Sequence, residues 1–242
     1  MERKPDAWPA LRHGAWVPVS QEPDHPLAGL DGQPLAGGEL RVLLGPTSRF
    51  GARYFRVLLA AGDDRLSREP VLTGLHHSGP LPSYNWIEVA ETKERVTLTD
   101  GSVSDIGAEG IERLFALLFA ILPVGGHLMA EYDSARWAET ARALAHGAPP
   151  IATPLGELLF RIGCGARFKD WQIAEGGSEG PRKLQAYKPA SREDALRWRR
   201  EVAEELRIFL EGPPASSEVV QAARQRAENL LPLLSSAEER SP

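Results

Sequence analysis

The sequence carries one cysteine, Cys164. A disulfide within the chain is therefore excluded, and a reducing, cytoplasmic setting is expected. Long hydrophobic runs are missing too. The longest, Leu114 to Val124, is about half of the ~20 residues that cross a bilayer, and Pro123, Gly125 and Gly126 close it. It predicts a buried helix and no membrane anchor. The opening MERKPDAWPALRHG has charges with no apolar stretch behind them, so no secretory signal is expected. Basic charge is also short. With 28 basic and 33 acidic side chains the formal net charge is −5, which does not support an extended nucleic-acid footprint. Gly-x-Ser-x-Gly, a Walker phosphate loop and His-Glu-x-x-His are all absent. Hydrophobic residues, at 42%, suffice for a real core in a chain of 242 residues, so disorder throughout is excluded.

Residues 1–38 hold six prolines, Pro5, Pro9, Pro18, Pro23, Pro26 and Pro34, and little periodicity. They predict an extended wrap anchored by Trp8 and Trp16. Apolar runs at Leu40–Leu44, Tyr54–Ala60, Val71–Leu75, Trp86–Ala90 and Val96–Thr99 then follow one another without helices, so these strands should be antiparallel. After Asp105 the pattern turns helical. Ala108–Leu122 predicts a deeply buried helix capped by Ser104 or Asp105, followed by a strand at His127–Tyr132. Helices are expected from Ser134 to about Ala145 and over Leu155–Ile162, then a hairpin of strands Phe168–Ala174 and Leu184–Tyr187. Ser191 with Asp194 opens a helix with Trp198, Val202, Leu206 and Phe209 at helical spacing. Ser217 opens a last helix, and the two should form a helical hairpin. The expected organisation is a wrap (1–38), an α/β or α+β body with a mixed, largely antiparallel sheet (39–190), the helical hairpin (191–234) and a disordered tail (235–242).

The order of strands, buried helix, strand, helices and terminal ribbon over 40–188 resembles the acyl-CoA N-acyltransferase fold of the GNAT superfamily. Its pyrophosphate-cradling junction, Arg/Gln-x-x-Gly-x-Gly/Ala, corresponds to Asp105-Ile106-Gly107-Ala108-Glu109-Gly110-Ile111, with the glycine spacing partly kept and the leading Arg or Gln absent. The resemblance implies acyl-CoA as cofactor, held by backbone N–H groups at Gly107, Ala108, Gly110 and Ile111. It also implies that the strand before Ala108 and the strand His127–Tyr132 are parallel neighbours splayed into a slot. Glu88 would be the base that activates an amine, and Tyr132 or Tyr187 the acid for the leaving thiolate. Asp105 and Glu109 oppose this, since each carboxylate near a phosphate costs about 1–3 kcal/mol. The stretch Leu114–Tyr132 is also similar to the helix, turn and fifth strand of class I S-adenosylmethionine-dependent methyltransferases, which implies a methyltransferase-like or other nucleotide-binding protein. Residues 125–189 further resemble an uncharacterised archaeal and bacterial domain of unknown function, which implies no chemistry.

From the residues themselves, Glu131 at a strand's carboxyl end is either a general base or a paired or exposed strand-end carboxylate. Glu88 is either a base or a solvent-facing strand residue. Trp171, Glu175, Arg182 and Lys183, around a glycine-rich loop, form either a substrate flap or a charged ribbon that resists edge pairing. His76-His77 would point to opposite faces of a strand, so no metal site is expected. Cys164 at a helix end has its thiol pKa raised and is not expected to be a nucleophile. The arginines Arg192, Arg197, Arg199 and Arg200 alternate with acids and read as a solvated face. The leading expectation is acyl transfer to a small-molecule or protein amine, with no nucleic-acid or membrane partner and a homodimer left open. The others are methyltransferase-like or nucleotide binding, and a non-catalytic binding module.

Overall fold

The computed structural model describes residues 15–78, 85–131, 135–162, 165–169, 183–213 and 217–239. It has a mixed α/β fold with a largely antiparallel sheet and several helices. Two compact units divide the chain: Met1–Pro123 with Leu128–Glu131, and Val124–His127 with Tyr132–Pro242. Among the described residues, no helix is long and apolar enough to cross a membrane.

In the first unit the strands are β1 (Val17–Pro18), β2 (Pro34–Leu35), β3 (Gly38–Thr47), β4 (Arg53–Ala60), β5 (Leu72–His77), β6 (Trp86–Thr92), β7 (Arg95–Thr97), β8 (Val103–Asp105) and β9 (His127–Glu131). The sheet runs β1-β3-β4-β5-β6-β9, with β2 paired to β3. From β1 to β6 every pairing is antiparallel, as expected where no helix intervenes to carry a crossover. Leu40, Val42 and Leu44 alternate inward along β3. On β4 Tyr54, Phe55, Val57, Leu58 and Leu59 are all buried, so both its faces are covered.

The helix α1 (Gly107–Ile121) follows β8. Its Ile111, Leu114, Phe115 and Leu118 are at most 1% exposed, the buried helix that the apolar run predicts. The strand before it departs from expectation. β8 pairs with β7 in a separate two-stranded sheet, and β9 lies beside β6. β8 and β9 are therefore not the parallel neighbours expected, because the Asp100-Gly101 turn folds β8 back on β7. The cap position is also not Ser104 or Asp105 but Ile106, which makes no side-chain capping bond, and Asp105 Oδ1 instead accepts from the Gly107 N–H at 3.1 Å.

Of the wrap, residues 15–35 are described. They form β1, β2 and two short 3-10 turns, Val19–Gln21 and Pro26–Leu30, with Leu27 and Leu30 fully buried. Trp16 lies against Gly45, where a Cβ would stand 2.8 Å from its ring. The Arg56 guanidinium lies over that ring, 4.2 Å from its centroid. Arg56 Nε is buried without a hydrogen-bond partner, so the indole face supplies much of what holds it. Trp16→Ala is expected to destabilise the first unit by about 1–2 kcal/mol. A lowered urea midpoint at unchanged slope would show this, and an unchanged midpoint would remove Trp16 as an anchor. Trp8 lies outside the described residues.

The second unit contains α2 (Ala135–Ala145), a 3-10 turn at Pro150–Ala152, α3 (Pro154–Ile162), the antiparallel hairpin β10 (Gly165–Lys169) and β11 (Lys183–Tyr187), α4 (Arg192–Glu211) and α5 (Glu218–Glu239). Ala143, Ile151, Val202, Leu206, Ala227 and Leu230 share one apolar core. The terminal helical hairpin thus packs on α2 and the 3-10 turn. Carbonyls at and just past the end of α4 are satisfied by Arg224 of α5, which donates to Phe209 (3.1 Å), Leu210 and Pro213 (3.2 Å), where the C-cap Gly212 is extended and not left-handed. α5 continues past Leu234 to Glu239.

Candidate functional site

α4 is built to begin sharply. Ser191 accepts from the Asp194 N–H at 3.0 Å, satisfying one orphan donor of the first turn. The Asp194 carboxylate accepts from the Tyr187 hydroxyl at 3.0 Å and the Ala190 N–H at 3.2 Å, and it pairs with Arg197. One acid thereby ties the end of β11, the connecting turn and the helix together. The Tyr187 ring also tilts against His127, with centroids 5.0 Å apart, and Gln185 Nε2 lies 3.2 Å from His127 Nδ1.

Beyond Asp194, the residues Arg197, Trp198, Glu201, Val202 and Glu205 recur at helical spacing and form one stripe. That stripe faces Tyr187, Pro189 and the Pro150-Ile151 turn across a cleft of about 400 Å³. Trp198 is held from behind by Phe160, with ring centroids 6.4 Å apart and planes at 29°. The opposite wall stands where it does because residue 156 is glycine: a Cβ there would be 1.8 Å from the Pro150 carbonyl oxygen. Thr153, fully buried, fastens this turn to α3, donating to the Pro150 carbonyl at 2.6 Å and accepting from the Gly156 N–H at 3.1 Å.

Three carboxylates and one guanidinium line the cleft. Asp194 and Arg197 neutralise each other. No ion pair among the described residues involves Glu201 or Glu205. Glu205 is exposed at the cleft wall, and partial desolvation there raises its carboxyl above the usual range. In the first unit a larger but more open depression, about 710 Å³, is lined by Glu39, Arg41, Asp64 and Arg65 among others. There Arg41 pairs with Glu39, and Arg65 pairs with Asp100.

Among the described residues that the sequence offered as catalytic, cofactor-binding or substrate-binding, Tyr187 alone lines the cleft. Glu88 is half-buried on β6 between the buried Ile87 and Val89, which face the other way. It belongs to the first unit and Tyr187 to the second. Glu131 ends β9, and Lys183 opens β11 opposite Lys169. Tyr132, Cys164, Trp171, Glu175 and Arg182 lie outside the described residues. At the start of α1, the Gly107 N–H is engaged by the Glu94 carbonyl at 3.2 Å as well as by Asp105. Ala108 follows it on the helix. Gly110 is buried beneath Ile106, whose Cγ2 would be 2.2 Å from an added Cβ. Ile111 is a fully buried core residue. His76 is buried, packs edge-on against His25 at 5.2 Å, and joins no metal-ligating group among the described residues. The residues missed from sequence are Trp198, Glu201 and Glu205. Their signal was an acid and aromatic stripe at three- and four-residue steps, hidden among the alternating charges of α4.

No curated protein matches the chain. The fold is similar to the crystal structure of a protein of unknown function from Aquifex aeolicus VF5, at a TM-score of 0.57 and 24% identity, covering 88% of this chain and 98% of that one. A family model described as protein of unknown function (DUF1122) matches residues 40–213, well over half of the sequence. With its antiparallel sheet and the start of its terminal helical pair inside that match, the chain belongs to the DUF1122 family.

Proposed function

We propose that this protein is a small-molecule binding module whose site is the α4 cleft, and that it does not use a coenzyme A carrier at α1. The observation that supports this most is the cleft itself. It is of small-ligand size, with an aromatic and apolar wall and a carboxylate, Glu205, raised by partial desolvation. Acyl transfer from acyl-CoA is the competing proposal. It needs the amides at Gly107, Ala108 and Gly110 open to a diphosphate, and the first of these already donates within the protein. It also needs Glu88 and a tyrosine acid around one substrate.

A thermal-shift panel with acetyl-CoA, S-adenosylmethionine, nucleotides, amines and carboxylates separates the readings. Ligand at about 100 times its dissociation constant adds ~2.7 kcal/mol, a readily seen rise in melting temperature. We expect no rise with acetyl-CoA, S-adenosylmethionine or nucleotides, and a rise with a small ligand whose amide NMR shifts centre on Tyr187, Trp198 and Val202. A rise with acetyl-CoA that maps to Gly107–Ile111 would overturn the proposal and restore Glu88 as the base.

A further inference from the structure

We infer that the α4 cleft takes an alkylammonium group, an inference that rests on the cleft being the binding site. Once Asp194 and Arg197 are paired, the charge left on its walls belongs to Glu201 and Glu205. These stand four residues apart on one helix face, where like charges repel. Both are exposed at the cleft wall, a single cation between them relieves that repulsion, and no ion pair among the described residues supplies one. Trp198 offers an aromatic face one turn away, the best ring for a cation. The apolar floor of Ile151 and Val202 suits the methylenes that carry an ammonium group. An anion would find only Arg197, already held by Asp194, and would face both glutamates. The upward shift of the Glu205 carboxyl, caused by partial desolvation, agrees with this.

The source of the group, a free amine or a lysine side chain, is settled by the probes. Putrescine, butane-1,4-diol and succinate share a four-carbon span and differ in charge, and Nα-acetyl-lysine methylamide presents the ammonium as a protein would. Calorimetry on the full chain at low salt is expected to show putrescine or the blocked lysine binding at least tenfold more tightly than the diol or succinate, and more weakly as salt is added. Whichever of the two cations is preferred identifies the source. Glu205→Gln and Glu201→Gln should each weaken the cation at least tenfold. Glu204→Gln, outside the cleft and paired with Arg207, should leave it unchanged. Equal binding of the diol, a preference for succinate, or cation binding untouched by both cleft variants would overturn the alkylammonium assignment. Failure of both cations to bind would overturn it as well. The cleft reading would then stand or fall separately, on whether any member of the wider panel maps to Tyr187, Trp198 and Val202.

Discussion

Gly156→Ala is expected to destabilise the second unit by about 2–4 kcal/mol, the sum of overpacking and a damaged helix cap. The new methyl would meet backbone on every near side: the Pro150 carbonyl oxygen at 1.8 Å, its carbon at 2.7 Å and the Ile151 Cα at 2.7 Å. No side chain can rotate away to make room. Either α3 or the 3-10 turn must move, and Thr153 bonds to both. Thr153 is itself fully buried, so its hydroxyl cannot exchange a lost partner for water. For a unit of about 100 residues this amounts to a drop of roughly 10–25 °C in melting temperature. The same movement displaces Pro150 and Ile151 from the cleft, so any ligand mapped to Trp198 should weaken in parallel. A loss below about 0.5 kcal/mol, typical of a neutral surface change, would mean that α3 and the turn are not in fixed contact.

Acid should loosen the first unit through His76. Burial is the main cause that lowers its pKa from 6.5 to about 4, with the neighbouring His25 and His77 adding to it. The sign follows from proton counting. Between pH 6.5 and 4 the unfolded chain holds a proton on this residue and the folded chain does not. Stability from His76 is therefore complete above pH 6.5 and is lost as pH falls through 4, to a total of about 3 kcal/mol. His25 reinforces the trend. Burial lowers its pKa as well, and its Nδ1 accepts from the Leu27 N–H at 3.2 Å, a bond that protonation at that nitrogen removes. Urea midpoints at pH 7, 5.5 and 4 for the wild type and for His76→Leu would test this. The variant should show a shallower decline by about that amount, while carboxylate effects common to both cancel. Parallel declines would assign the acid sensitivity elsewhere.

Much of the architecture could be read from residue patterns because it is local. Alternation at Leu40–Leu44 and the dense run Tyr54–Ala60 marked β3 and β4, and the absence of intervening helices dictated antiparallel pairing. The apolar run from Leu114 marked α1. The Ser191–Asp194 spacing marked the start of α4. What escaped was set by tertiary placement. β8 is three residues of ordinary polarity, made a strand only by β7 beside it. The cleft escaped for a related reason. Val202 is a core residue and Trp198 packs on that core, and only the placement of Pro150 and Ile151 opposite them shows that both also border a cleft. Glu201 and Glu205 are exposed acids, and only the residues standing opposite show that they line a cleft. The glycines at 107 and 110 drew attention to α1 by their spacing alone, whereas one is engaged by Glu94 and Asp105 and the other by the packing of Ile106.

The chain enters the second unit at Val124–His127, returns to the first for Leu128–Glu131, and leaves again at Tyr132. A cut at residue 131 would therefore strip the carboxyl-terminal half of a small but specific inheritance. The Lys188 amide and carbonyl would lose Gly126 and Gly125, each bonded at 2.9 Å, and Tyr187 would lose the His127 ring that braces it at the rim of the cleft. Gene fusion, truncation or exchange between relatives that breaks at this seam should thus yield a helical half that folds with a misaligned tyrosine. Evolution would be expected to inherit the two units together.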